Sequence, residues 1–144
     1  MDKSETYIKM CEKAEEIQES WKPKEGDWCI DMGDLWILMP NAEHKICTVT
    51  PAYVEMVKEN DTWLPSQDDL QKMVIGKGIL SGDWLDVLEH FVMDEGGLFD
   101  FFDAHRVDET YNYVKSMEQL WLSFVMKKRY NKVWSNNEWR NGSV

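Results

Sequence analysis

The residues best suited to chemistry are few and scattered. The 144-residue chain has three histidines, His44, His90 and His105, and three cysteines, Cys11, Cys29 and Cys47. His90 and Asp94 stand four apart in a stretch that reads as helix, so their side chains share one face. Asp100, Asp103 and His105 form a D-x-x-D-x-H cluster whose oxygen and imidazole donors suit a divalent ion in kind. That spacing matches no established metal loop, and acidic clusters are common in so acidic a chain, so neither a metal nor a cofactor is expected. Three cysteines cannot all pair within one chain, and none lies in a C-x-x-C spacing, so they read as reduced structural thiols. There is no G-x-S-x-G elbow. Gly76-Lys77-Gly78 is too short for a phosphate loop and lacks the Ser or Thr that would follow it. Nothing singles out a carboxylate pair for acid–base work. Lys127, Lys128, Arg129, Lys132 and Arg140, with Tyr130 and Trp134, mix bases and aromatics as single-strand binders do. A helix C-terminus accounts for the first three more simply. The chain therefore reads as a non-enzyme.

The elements that would carry these residues are helix-dominated. Tyr7, Met10, Cys11, Ala14, Ile17 and Trp21 fall on one helical stripe, which predicts a single amphipathic helix from Ser4 to Trp21, with Ser4 as its N-cap. Lys22 to Asp27 is a polar loop. Trp28–Asp31, Leu35–Met39 and Lys45–Val49 are short apolar runs parted by turn signals, Gly33-Asp34 and Pro40-Asn41, and predict a small antiparallel meander or a hairpin with a third strand. Thr50 to Asn60 opens Thr-Pro and reads as a short helix, with strand left open by its β-branched content. Trp63-Leu64-Pro65-Ser66 reads as a connector. Ser66 to Asp69 has the form of a capping box ahead of Leu70, Met73 and Val74, with Gly76 and Gly78 closing that helix. Ser81-Gly82-Asp83 begins another, with Trp84, Leu85, Leu88, Phe91 and Val92 inward. Leu98 to Arg106 is ambiguous between strand and helix. Ser116 to Gln119 is a second capping box, followed by Leu120, Trp121, Phe124 and Val125 at helical spacing, and Tyr130 to Val144 is a polar tail tacked down by Val133, Trp134 and Trp139. The expectation is one α+β domain over residues 1–144, helix-dominated with a small antiparallel sheet.

Composition narrows the function. Hydrophobic residues make up 43% and charged residues 30%, as in globular chains. No apolar run approaches the ~20 residues needed to span a bilayer. The opening MDKSETYIKM has no apolar core of the kind a secretory signal needs, so a cytoplasmic location is expected. The net charge of -11 opposes direct binding to phosphate backbones and to anionic membrane surfaces. Eight tryptophans are many for this length, and Trp favours partly buried positions and interfaces. The charge is uneven: residues 81–109 hold nine acids against Arg106 alone, whereas residues 110–144 carry a surplus of bases. That acidic stretch is either a solvated face partly neutralised by the tail or a docking surface for a basic partner.

Three stretches, YIKMCEKAEEIQESWKPKEGD near the start, WLPSQDDLQKM at 63–73 and SMEQLWLSFVMKKRYNKVWSNNEW at 116–139, resemble small uncharacterised phage and prophage proteins of Gram-positive bacteria. The matching pieces follow one another in the same order. The resemblance implies a phage-encoded accessory protein of the host cytosol that works by binding host machinery, defence systems included, and it transfers no functional residue. The expected contact residues are Asp83, Asp86, Glu89, Asp94, Glu95, Asp100 and Asp103 on the acidic side. Trp63, Trp84, Trp134 and Trp139 are the expected aromatic contacts. The expected partner is a basic or nucleic-acid-binding protein of the host or of a defence system. Two other classes remain as alternatives: a small-ligand or nucleotide-signal sponge that stacks a base on Trp63, Trp84 or Trp121, and a metal-dependent enzyme.

Overall fold

The computed structural model describes residues 1–38, 51–74, 96–106 and 114–142, and for residues 51–53 and 104–106 the backbone alone. The fold is α+β. Among the described residues there are six helices, a three-stranded antiparallel sheet and a separate two-stranded one. They form two compact units, Cys11–Pro65 and Met1–Met10 with Ser66–Val144. The strand expected over Lys45–Val49 and the helix expected from Ser81 lie outside the described residues.

The amphipathic stripe of the first segment is buried in full, from Tyr7 to Trp21. It is carried by two helices, α1 (Glu5–Glu12) and α2 (Glu15–Ser20), where the spacing predicted one. Ser4 caps α1 as expected, its Oγ accepting from the Tyr7 amide at 3.2 Å. Helix propensity does not explain the break, because Ala14 at the joint is the best helix former of all. Ala14 is buried at φ -87°, ψ 66°. The turn there leaves the Cys11 carbonyl to accept from the Ala14 amide at 3.1 Å and from the Gln18 side chain at 3.0 Å. These bonds take the place of the helical ladder at the joint.

In the Cys11–Pro65 unit, β1 (Trp28–Asp31) pairs with β2 (Asp34–Ile37) through a two-residue turn. Met32 and Gly33 both take positive φ, 46° and 94°, the twist that joins antiparallel strands without splaying them. Helix α3 (Pro51–Asn60) follows, and Asn60 leads into β3 (Thr62–Leu64), which pairs with the other side of β1. The order is β2-β1-β3. Trp63 and Leu64 are thus strand residues, a correction to the connector reading. Three residues are too few to show alternation, and β3 is made by its partners. The Ile30–Thr62 and Trp28–Leu64 pairs bind it to β1. On its other edge, the Gln18 carboxamide accepts from the Trp63 amide at 2.9 Å and donates to the Trp63 carbonyl at 3.0 Å. One side chain thereby imitates a neighbouring strand.

In the other unit, α4 (Gln67–Val74) begins with the expected capping box: the Asp69 amide donates to Ser66 Oγ at 3.2 Å and the Ser66 amide to Asp69 Oδ2 at 3.0 Å. Helix α5 (Leu98–Arg106) precedes α6 (Met117–Tyr130), and α4, α5 and a later strand all pack on α6. Residues Gln119 to Met126 of α6 are buried without a break, more than the single stripe that the spacing predicted. A helix buried on all sides must satisfy its polar side chains internally. Ser123 does so by donating to the Gln119 carbonyl at 2.8 Å. Gln119 Nε2 donates to Asp2 Oδ2 at 2.8 Å and to Ser4 Oγ at 3.0 Å. Ser116 caps α6, accepting from the Gln119 amide at 3.1 Å and donating to Asp2 Oδ2 at 2.5 Å. Burial works against ionisation of Asp2, but the bonds from Ser116, Ser4 and Gln119 outweigh it and hold the carboxyl below its usual range. Asn131, in the left-handed region at φ 52°, ends α6.

The polar tail is in fact a hairpin, β4 (Lys132–Ser135) with β5 (Glu138–Asn141). Asn136 and Asn137 make its turn, both at positive φ. Trp134 and Trp139 face each other across it with ring centroids 5.0 Å apart, and the Asn131 and Gly142 backbones close its base through a 2.7 Å bond. The Trp139 indole donates to the Met10 carbonyl at 2.9 Å. No helix among the described residues is long and apolar enough to cross a membrane.

Candidate interaction surface

The ambiguous stretch at Leu98 resolves as helix, and its N-terminal end favours one. Gly96, at φ +77°, makes the turn in front of it, and the Gly96 amide donates to Asp100 Oδ2 at 2.8 Å. Leu98 and Phe101, three apart, are buried, with the Phe101 ring edge-on to Phe124 of α6 at 5.7 Å. Phe124 in turn meets Trp121 edge-on at 5.7 Å. This aromatic file fixes the inner face of α5 on the core of its unit. The outer face is unusual: Phe99 is 59% and Phe102 43% exposed, and Asp100 and Asp103 are exposed beside them. Two neighbouring aromatic rings left in water form an apolar spot beside two exposed carboxylates, a combination that marks recognition surfaces.

Of the residues expected at the acidic surface, Asp100 and Asp103 lie on this face. Asp83, Asp86, Glu89, Asp94 and Glu95 lie outside the described residues, as do Trp84, His44 and His90, and the side chain of His105 is likewise not described. Among the described residues no group of three or more His, Cys, Asp or Glu side chains is placed to hold a metal ion. Two of the expected aromatic contacts are interior. Trp134 is buried in the hairpin. Trp63 is 5% exposed and stacks on Trp21, centroids 5.9 Å apart and planes 6° from parallel. Trp139 keeps partial exposure. Phe99 and Phe102 are the functional candidates that sequence reasoning passed over. Their signal was present in F-D-F-F-D, where Phe99 and Phe102, three apart, share one face of a helix and Phe101 takes another.

The buried polar groups of the Cys11–Pro65 unit have a structural character. The Trp21 indole donates to Asp27 Oδ2 at 2.8 Å, the Lys24 amide donates to the same oxygen at 3.0 Å, and the Lys24 ammonium lies 3.7 Å from Oδ1. Cys29 is buried between its cross-strand neighbours Trp36 and Trp63. Burial, together with the negative charges of Asp61 and Asp27, pushes its thiol up to about 12, which leaves no thiolate to act as a nucleophile at neutral pH. Asp31 pairs with Asp34 on one side, and Asp61 comes alongside it one step beyond the Ile30–Thr62 pair. Burial and the Asp31 charge raise the Asp61 carboxyl, against a hydrogen bond from the Trp36 side chain.

No protein-family model matches the chain, and neither does any curated protein or solved structure.

Proposed function

We propose that this chain is a phage-encoded accessory protein that acts by association, binding a host or defence-system protein without making or breaking covalent bonds. The observation that carries the reading is the outer face of α5, where Phe99 and Phe102 stand exposed among acids in a chain of net charge -11. Such a surface attracts a basic partner over distance and gives it apolar area to bury on contact. The resemblance of the 63–73 and 116–139 stretches to phage and prophage proteins supports the origin, and inhibition of a nucleic-acid-binding defence protein is the role that fits an acidic surface. In that role the carboxylates from Asp83 to Asp103 stand in for phosphates. A nucleotide sponge is less well supported, because Trp63 is already stacked on Trp21 and anionic phosphates meet an opposing field.

Affinity capture from host lysate, with excess untagged protein as competitor, tests the reading. A partner that the competitor displaces is the expected result; the absence of any saturable partner sinks it. Neutralising Asp94, Asp100 and Asp103 together is expected to abolish capture if phosphate mimicry is the means. Unchanged capture would remove the mimicry and leave the association.

A further inference from the structure

The base of the C-terminal hairpin holds a chemically labile pair. Asn141 and Gly142 form the only Asn-Gly sequence in the chain. Asn141 is exposed at the end of β5, opposite Lys132. Gly142 is buried, and Asn131 clamps it through both of its backbone groups. The Gly142 amide donates to the Asn131 carbonyl at 2.7 Å, and Asn131 Nδ2 donates to the Gly142 carbonyl at 3.2 Å. Lys127 Nζ braces this clamp by donating to Asn131 Oδ1 at 2.9 Å. A Cβ at position 142 would meet that ammonium and lie 3.3 Å from the Asn131 carbonyl oxygen, so the closure favours glycine. The same missing side chain leaves nothing to hinder the Gly142 nitrogen from approaching the neighbouring carboxamide. We propose that Asn141 is a modification site, deamidated by attack of the Gly142 nitrogen on its side chain when the hairpin base opens and unreactive while the base is closed. The inference stands apart from the association reading.

Water is the only co-reactant. The Gly142 nitrogen bonds to Asn141 Cγ, and the carboxamide nitrogen leaves as ammonia with the proton that the Gly142 nitrogen loses. Water then opens the resulting cyclic imide at either carbonyl. Opening at Cγ leaves Asp; opening at the main-chain carbonyl leaves isoaspartate, whose chain runs on through the β-carbon. The closed hairpin opposes the first bond in two ways. Ring closure folds the Gly142 nitrogen back over the Asn141 side chain, a geometry that the extended backbone of a strand residue does not provide. It also takes the Gly142 hydrogen from its partner, the Asn131 carbonyl. Fraying at the strand end releases both restraints at once. Nearer the turn, the Trp134–Trp139 contact and the Trp139 bond to the Met10 carbonyl hold the rest of the hairpin, so the base opens by itself. Isoaspartate adds a methylene to the backbone at the Lys132–Asn141 pair and breaks the register that closes the base. Refolding cannot undo the conversion, and the modified fraction records how often the base has opened.

The test incubates the full chain in mildly alkaline buffer, folded and in concentrated urea, and follows Asn141 by peptide mass mapping and by enzymatic methylation of isoaspartate. In urea Asn141 is expected to convert as fast as in a synthetic peptide spanning residues 137–144. The folded chain is expected to convert at least about tenfold more slowly. Asn141→Gln, whose longer side chain closes a larger ring, is expected to remove the signal. Asn131→Gly keeps the left-handed turn and the backbone acceptor but loses the side-chain clamp, and is expected to convert severalfold faster than wild type while folded. Lys127→Met removes the brace and is expected to shift the rate in the same direction. Circular dichroism establishes that each variant is folded. Urea below the unfolding transition is expected to leave the folded rate nearly unchanged, because a local opening exposes little surface. Equal rates in the folded and unfolded chain overturn the proposal, as do folded Asn131→Gly and Lys127→Met chains that convert no faster than wild type. A folded rate that climbs with urea in step with global unfolding also overturns it, because the gate is then the whole fold.

Discussion

Met32 stands in the left-handed region at φ 46° with its side chain 99% exposed, so its backbone strain is offset by no packing. For a residue with a Cβ this conformation costs about 1–2 kcal/mol, and Asn tolerates it best after Gly. Met32→Asn is therefore expected to raise stability by about 0.5–1 kcal/mol, seen as a higher melting temperature. A lower one would show that the thioether makes a contact worth more than the strain. The carboxyl of Asp61 poses an electrostatic question. Because its folded value is raised, the folded state holds the proton more tightly than the unfolded chain does. Its contribution to stability is fully present below the ordinary 3.8 and is lost as pH rises through the raised value. Asp31→Asn removes the neighbouring charge and is expected to bring the Asp61 titration down toward 3.8, as followed by carboxyl NMR. A titration that does not move would assign the shift to burial alone.

A single side chain does the work of a strand at the edge of the three-stranded sheet. Gln18 joins the broken turn at Cys11 to both backbone groups of Trp63. Gln18→Ala removes the side-chain partner of both Trp63 backbone groups at a half-buried edge and leaves the Cys11 carbonyl with the Ala14 amide alone, and is expected to cost about 2–3 kcal/mol. Gln18→Glu retains the acceptor and loses both donated bonds, so it should rescue little. Hydrogen exchange at the Trp63 amide is the direct readout: protection lost in Gln18→Ala but kept in Gln18→Glu is expected, and full protection in both would deny β3 this support. These elements also show where the sequence is legible. The Ser66 and Ser116 boxes, the buried stripe from Tyr7 to Trp21, the Trp28–Asp31 strand and the helix after Thr50 follow from local spacing and local hydrogen bonds. The break at Ala14 and the strand at Trp63 do not: Gln18 bonds the Cys11 carbonyl at the first and reaches 45 residues along the chain to the second. The C-terminal hairpin was hidden because its turn uses Asn136-Asn137, without the glycine that usually announces such a turn. Phe99 and Phe102 were hidden for a different reason. Apolar residues are expected inside, and spacing alone cannot say that a helix carries more of them than its core can take.

At the scale of the whole molecule the dominant fact is a net charge of -11 on 144 residues. Ion pairs such as Lys9 with Glu5 and Lys72 with Asp68 are short-range and exposed on single helices, and pairs of that kind contribute little. Self-repulsion is thus expected to outweigh ion pairing in the isolated chain. Raising salt from about 0.01 M to about 0.1 M shortens the screening length from about 30 Å to about 10 Å. The melting temperature is therefore expected to rise with salt, with sodium chloride sufficient and no specific ion needed. Binding to a basic partner has the opposite sign, since the same screening weakens attraction between unlike surfaces. The two trends measured on one preparation separate the possible roles of the acidic residues. Stability rising while affinity falls is what a surface kept charged for an external partner must show. A melting temperature that falls with salt would mean that the acids are already neutralised within the molecule, by the basic residues of the 110–144 stretch among others, and that the -11 is not held in reserve for anything outside it.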